Sequence, residues 1–268
     1  MKKILSLAVL AVTLFSCQKQ EAPAVNEPIS QDVLAAIGKA GFSTEGVIRE
    51  EGGYIVEGDI FIDDNHLRTQ PQWNTHYIVE TEQYHTTNLV NAGGGRVIKV
   101  SISNKLPSSY VDALDECIAR YNAENLLITM QRVSSGADIS IVSAGGNFLA
   151  SAGFPSGGNP FNQIKVNSRA IGNQPQSTVA TILAHEIGHC IGFRHTDYMD
   201  RSISCGGSTA NEGASSVGAI WIQGTPQTAA QVEDAISKGD VSFMLSCISS
   251  RANRPFSTSD KTALSYLY

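Results

Sequence analysis

Charge is scarce in this chain. Asp, Glu, Lys and Arg make up 16% of its 268 residues, against about 25% in an ordinary globular protein. Acids outnumber bases, 25 to 19, for a net charge of −6. No polybasic stretch occurs, which excludes the electrostatic footprint of a nucleic-acid binder and of a protein drawn to anionic lipid by charge. No run of eighteen apolar residues occurs either, so no segment reads as a transmembrane helix. Cysteine is confined to five positions and never takes a CxxC spacing, which argues against a cysteine zinc knuckle or a thioredoxin motif. Internal repeats are missing. What is present is 42% hydrophobic, enough to argue against whole-chain disorder and to bury a core at this length. At about 150 residues per domain the length allows one to two domains. Ser, Thr, Asn, Gln and Gly supply the polar surface, which fits an exported protein.

The first residues bear on the compartment. Lys2 and Lys3 precede the apolar run Ile4 to Phe15, which has the length of a signal-peptide core and is too short to span a bilayer. The run closes as Leu14-Phe15-Ser16-Cys17, resembling a bacterial lipobox with Phe15 where a small residue is usual. Residues 1–16 are therefore expected to be a signal peptide and Cys17 a lipidated mature N-terminus. An ordinary signal peptide with a chance cysteine is the alternative. Either way the protein is expected outside the cytoplasm, as a lipoprotein on a membrane surface or secreted.

Residues 17–90 read as a tether followed by a pro-segment, and 91–268 as a catalytic domain. A short helix is expected at 31–40 and strand character at 54–62, broken by Gly58. Residues 63–95 read as irregular, with His66, His76 and His85 solvated. Strands are expected at 96–102, 126–133, 137–142 and 163–167, and an amphipathic helix at 108–122, where Val111, Leu114, Ile118 and Tyr121 share a face. Ser177 can cap a helix running to about Ile191. Residues 196–240 read as a long irregular stretch, and 256–268 as a terminal helix capped near Ser257 or Ser259.

The chemistry concentrates in His185-Glu186-Ile187-Gly188-His189-Cys190-Ile191-Gly192-Phe193-Arg194-His195. Positions i and i+4 of a helix share a face, so His185 and His189 present two imidazoles to one point. His195 lies too far along to converge on a continuing helix. Gly192, free to adopt a left-handed conformation, can turn the chain back. Three neutral nitrogens with one open position form the catalytic rather than the structural zinc pattern. Glu186, beside the first ligand, is placed to take a proton from water in that position. Cys190, about 100° around the helix from His189, should face the core.

The string HExxHxxGxxH resembles that of the metzincin zinc endopeptidases. Residues 185–197, HEIGHCIGFRHTD, and the closing FSTSDKTALSYLY look like the bacterial dual-action HEIGH metallopeptidases. The resemblance implies an α+β fold: a mixed twisted sheet, an active-site helix, an irregular lower part and a C-terminal helix. It implies one catalytic zinc ion, a peptide or protein substrate, and a methionine in a tight turn under the metal, for which Met244 is the candidate. The matrixin-like stretch at 149–155 implies that Leu149, Ala150, Ser151 and Ala152 form an edge strand to which substrate adds antiparallel. Val56-Glu57-Gly58-Asp59 is similar to the astacin pro-segment motif FxGD, which implies Asp59 as a latency switch closing the open position. A solvated turn is the plain alternative.

Cys205 and Cys247 flank the long loop and are the first pairing to consider. Asp63, Asp64 and Asn65 could bind calcium, though a solvated turn suits them better. Tyr198 could act as an extra ligand, and Asp197 could bind backbone or Arg194. The rival to a peptidase is a surface zinc-binding lipoprotein that cleaves nothing.

Overall fold

The computed structural model describes residues 28–68, 83–214 and 217–268. The expected signal peptide, Cys17 and His76 lie outside them, as does the side chain of His66.

The chain enters through helix α1 (Gln31–Lys39), whose cap Ser30 accepts from the Val33 amide. Strands β1 (Ile48–Glu50), β2 (Gly53–Val56) and β3 (Ile60–Asp63) form an antiparallel sheet in that order. The break expected at Gly58 is the β2–β3 turn, where Glu57 (φ 55°) and Gly58 (φ 95°) are both left-handed. Ile37, Phe42, Tyr54, Val56, Ile60 and Ile62 bury one another as a small core that also takes Val217. A short helix, α2 (Asp64–Arg68), follows. There Asp64 pairs with Arg49 at 3.2 Å, so its carboxylate already has a cationic partner.

Strand β4 (Tyr84–His85) follows. Tyr84 and Gln83 are buried, and Gln83 donates to Asp260 near the far end of the chain. Residues 83–90 thus pack as part of the larger unit. His85, expected in solvent, is half-buried with Nδ1 on the Thr86 carbonyl, and burial lowers its pKa. Two strand residues are too few to leave an alternating pattern in the sequence.

The main sheet combines β5 (Arg96–Ile102), β6 (Ile128–Arg132), β7 (Ile139–Ser143), β8 (Ala150–Ser151) and β9 (Gln163–Val166) in the order β6-β5-β7-β9-β8. Every pairing is parallel except β8 against β9. Helix α3 (Ser109–Asn122) lies between β5 and β6 in the chain, and α4 (Ser168–Ile171) leads to the long α5 (Gln176–Ile191). Helices α3 and α5 pack together, and the Tyr121 hydroxyl donates to the Ala184 carbonyl at 2.8 Å. Ile98, Val100, Leu114, Ile139, Ile164 and Leu183 belong to the one large core between these helices and the sheet. Ser177 does not cap α5. The helix begins one residue earlier, after Pro175, with no side-chain cap, and the Ser177 carbonyl instead accepts from Thr181 Oγ1.

The stretch expected to be irregular holds α6 (Ser202–Cys205), β10 (Ile220–Trp221) and α7 (Ala229–Ser237). β10 pairs with β4. α7 carries a capping box from Thr228 and Gln231 but buries only Val232, so it lacks the apolar stripe by which a helix is recognised in sequence. The closing helix α8 (Thr258–Leu267) is capped by Ser257 with Asp260. The architecture is α+β, and among the described residues no helix is long and apolar enough to cross a membrane.

Candidate metal centre

Helix α5 brings His185 and His189 onto one face, with their Nε2 atoms 3.0 Å apart. Gly192 ends the helix at φ 117° with its amide on the Gly188 and His189 carbonyls. A Cβ there would lie 2.7 Å from Leu89 Cδ2 and 3.1 Å from the Asn88 carbonyl, so both conformation and space require glycine. The returning chain is held by residues 84–86. The Gly192 carbonyl accepts from Thr86 and the Arg194 amide donates to Tyr84, at 2.8 and 2.9 Å. His195 is thereby turned toward the two helical histidines, its ring centroid 5.2 Å from His185 and 4.9 Å from His189.

The outer nitrogens fix the tautomers. His185 Nδ1 lies 2.8 Å from the Phe243 carbonyl and His189 Nδ1 2.8 Å from the Phe193 carbonyl. His195 Nδ1 lies 2.8 and 3.0 Å from the two Glu212 carboxylate oxygens. Each partner only accepts, so each Nδ1 carries the proton and each neutral ring turns its Nε2 lone pair inward. Asp59 completes the group. Its Oδ2 is 3.2 Å from His185 Nε2 and 3.3 Å from His195 Nε2. One ligand atom from each of the four residues falls within 4.8 Å of the others.

These residues fit a cation. Three Nε2 atoms converge on the Asp59 carboxylate, and Asp59 Oδ1 is buried without a hydrogen-bond partner. Burial, strengthened by the neighbouring imidazoles, pulls His189 well below the ordinary histidine value. Burial alone would lower His195 too, but the Asp59 and Glu212 charges outweigh it and raise it. Surroundings that hold a proton there also favour a divalent ion in its place. The nitrogen-rich donor set suits zinc. Glu186 sits beside the group with its Oε2 buried and unpartnered. Burial, with Asp59 nearby, pushes its carboxyl well above the usual range.

Met244 lies under the centre. A Cβ on Gly188 would meet its Sδ at 2.5 Å, and its carbonyl accepts from Thr196, next to His195. Asp197 ties this turn to the loop: its Oδ1 accepts from the Ser246 amide and hydroxyl, each at 2.8 Å, and its Oδ2 from Ser204. The sulfurs of Cys205 and Cys247 are 2.06 Å apart. Cys190 is buried in the core. Tyr198 packs edge-on against Tyr84 at 4.3 Å between centroids.

Leu149 to Ala152 run along the sheet edge formed by β8. Its outer side is met by the chain itself: the Phe61 amide donates to the Ala152 carbonyl and the Ala152 amide to the Asp59 carbonyl, at 2.8 and 3.0 Å. The Ile60–Ala152 pairing is parallel, opposite to the direction expected for substrate.

The sequence reading missed a buried charged cluster behind His195. Arg194 donates to Glu57 at 3.1 Å and to the Ala214 and Gly218 carbonyls. Glu212 supports His195 and meets Arg201 Nε at 3.0 Å. Burial and the Glu212 charge push the Glu57 carboxyl up to about 8, with Arg194 opposing. One signal for Glu212 was available. It is the only charged residue between Arg201 and Glu233.

A model of the family described as dual-action HEIGH metallo-peptidases matches residues 54–268. Two structures of myroilysin are similar over 38% of this chain at 16% and 17% identity, covering 45% and 44% of their own length, each with a TM-score of 0.31. High choriolytic enzyme 1, a hatching-enzyme zinc protease of the medaka fish Oryzias latipes, is similar at 19% identity over 37% of this chain and 44% of its own, with a TM-score of 0.26. The chain thus spans less than half the length of these solved proteins. No curated protein matches it.

Proposed function

The chain belongs to the dual-action HEIGH metallo-peptidases, and on that premise we propose that it is an exported zinc endopeptidase, made latent, in which Glu186 is the general base. The observation that carries the reading is the convergence of three Nε2 lone pairs beside a buried, unpartnered carboxylate oxygen. His185, His189 and His195 would hold zinc. Zinc bound there would supply Lewis acidity and lower the pKa of water to about 7.

Glu186 takes a proton from the attacking water and delivers it to the leaving amine. Met244 and Gly188 form the floor that keeps α5 and its two histidines in place. The edge at Leu149 to Ala152 binds extended peptide through its main chain. Latency rests on the β2–β3 hairpin. Asp59 lies among the imidazoles, and the segment pairs with Ala152 in the direction opposite to the one proposed for substrate. Export rests on residues 1–16 and lipid attachment on Cys17. Cys17→Ala should move the protein from membrane to soluble fraction, and retention in the membrane would remove the lipid from this reading.

The test is a time course of intact mass for the zinc-loaded protein beside Glu186→Ala, with casein present. Trimming of the N-terminal segment and casein cleavage by the wild type alone are expected. If Glu186→Ala keeps its zinc and still cuts casein, Glu186 is not the base. If neither protein cuts under any loading, the site is a zinc-binding surface.

A further inference from the structure

We propose that the cavity beside the metal centre takes an acidic side chain of the substrate, and that Arg254 is the residue that selects it. The proposal rests on the peptidase reading and extends its site. The cavity has a volume of about 260 Å³, large enough for an Asp or Glu side chain. Its lining includes His185, Glu186, Leu149, Phe243 and Arg254, together with Asp59 of the hairpin. A peptide lying along Leu149 to Ala152, with its cut bond at Glu186, would drop a side chain flanking that bond into it.

Arg254 is only 9% exposed. Its main chain is fixed, the amide donating to Thr181 Oγ1 at 3.0 Å and the carbonyl accepting from Arg120 at 3.1 Å. Its guanidinium carries five donors, yet its one hydrogen bond among the described residues goes from Nη2 to the Cys247 carbonyl at 2.7 Å. No described carboxylate lies within ion-pair distance of it, whereas two other inward-turned arginines each meet one, Arg194 with Glu57 and Arg120 with Glu116. Arg201, which also lines the cavity, meets Glu212. A buried cation without a paired anion is costly. The charges of Asp197 and Asp260 offset that cost only in part, since burial still draws the Arg254 pKa below its ordinary value. A carboxylate entering the cavity supplies the missing partner through charge-assisted hydrogen bonds.

The experiment digests a peptide library with the zinc-loaded protein and with Arg254→Gln, and reads the residues flanking every cut. A charge-assisted bond exceeds a neutral one by enough to favour Glu over Gln at one flanking position by about tenfold. In Arg254→Gln that ratio should fall to about one. Cuts with no acidic preference, or the same preference in Arg254→Gln, would overturn the proposal. A second measurement does not depend on cleavage. N-acetylglutamate amide and N-acetylglutamine amide are titrated calorimetrically into the metal-free full chain. Tighter binding of the glutamate, lost in Arg254→Gln, supports the pocket even where no peptide is cut, a result that would count against the peptidase reading alone. Equal binding of the two, together with cuts lacking acidic preference, refutes the pocket and leaves the peptidase reading intact.

Discussion

His195 shows how much one side chain owes to residues far from it in sequence. Its Nε2 faces the centre because Nδ1 is held by Glu212, itself fully buried. Outer-sphere partners of this kind contribute to metal affinity through ligand orientation and basicity. Glu212→Gln should therefore weaken zinc binding about 10- to 100-fold, measured by competition with a chromophoric chelator, and His195→Ala should weaken it further. Equal affinity in Glu212→Gln and wild type would remove Glu212 from the support of the centre. Gly188 makes the same point sterically. A methyl group there would come within 2.5 Å of Met244 Sδ and 3.1 Å of Phe243 Cε2. Gly188→Ala should cost about 1–3 kcal/mol from overpacking and lower zinc affinity, because the floor must shift. Met244→Leu, which roughly conserves volume, should cost under about 1.5 kcal/mol. Thermal unfolding compares the two. The histidine spacing and the glycine were legible in the sequence because helix periodicity and left-handed turns are local. Glu212 was legible only as an isolated charge, and nothing in the chain order says which histidine it meets.

At the scale of elements, the long strand β5 and helices α3 and α5 were readable from their apolar periodicity, and α8 as a terminal helix with a serine cap. β4, β10 and α7 were not. The first two are two residues long and exist because they pair with each other. α7 buries one residue, so its capping box, not a stripe, was its only sequence mark. The loop that carries β10 and α7 is anchored at Cys205 and Cys247, 42 residues apart. On the chain-entropy view, closing a loop of that length contributes about 4 kcal/mol by restricting the unfolded chain. Cys205→Ser with Cys247→Ser should lower the melting temperature and loosen the turn at Met244, seen as faster amide exchange at residues 243–247. A double variant as stable as the wild type would show that the cross-link does not restrain this loop.

For the whole molecule, the decisive contact is between the N-terminal hairpin and the centre. It combines Asp59 among the imidazoles, Glu57 on Arg194, and main-chain pairing of residues 59–61 with Ala152. If this contact enforces latency, Asp59→Ala should cleave casein without the lag of the wild-type precursor. A lag as long as that of the wild type would show that Asp59 is not the block. Metal should also stabilise the fold, since a ligand that binds only the native state adds stability by mass action. Chelator treatment is expected to lower the melting temperature, and added zinc to restore it.

The sequence by itself determined the arrangement that local geometry controls: two histidines one helical turn apart, a carboxylate beside the first, and a glycine that returns the third. These need only the 3.6-residue repeat and one left-handed residue. Tertiary structure alone decided what surrounds them. Asp59 reaches His185 across 126 residues, Gln83 meets Asp260 across 177, and Arg254 stands in the cavity beside the metal centre without a carboxylate partner among the described residues. Those placements follow from how the sheet, α5 and the returning loop pack together, and burial then fixes which charges are balanced and which are left to meet a ligand.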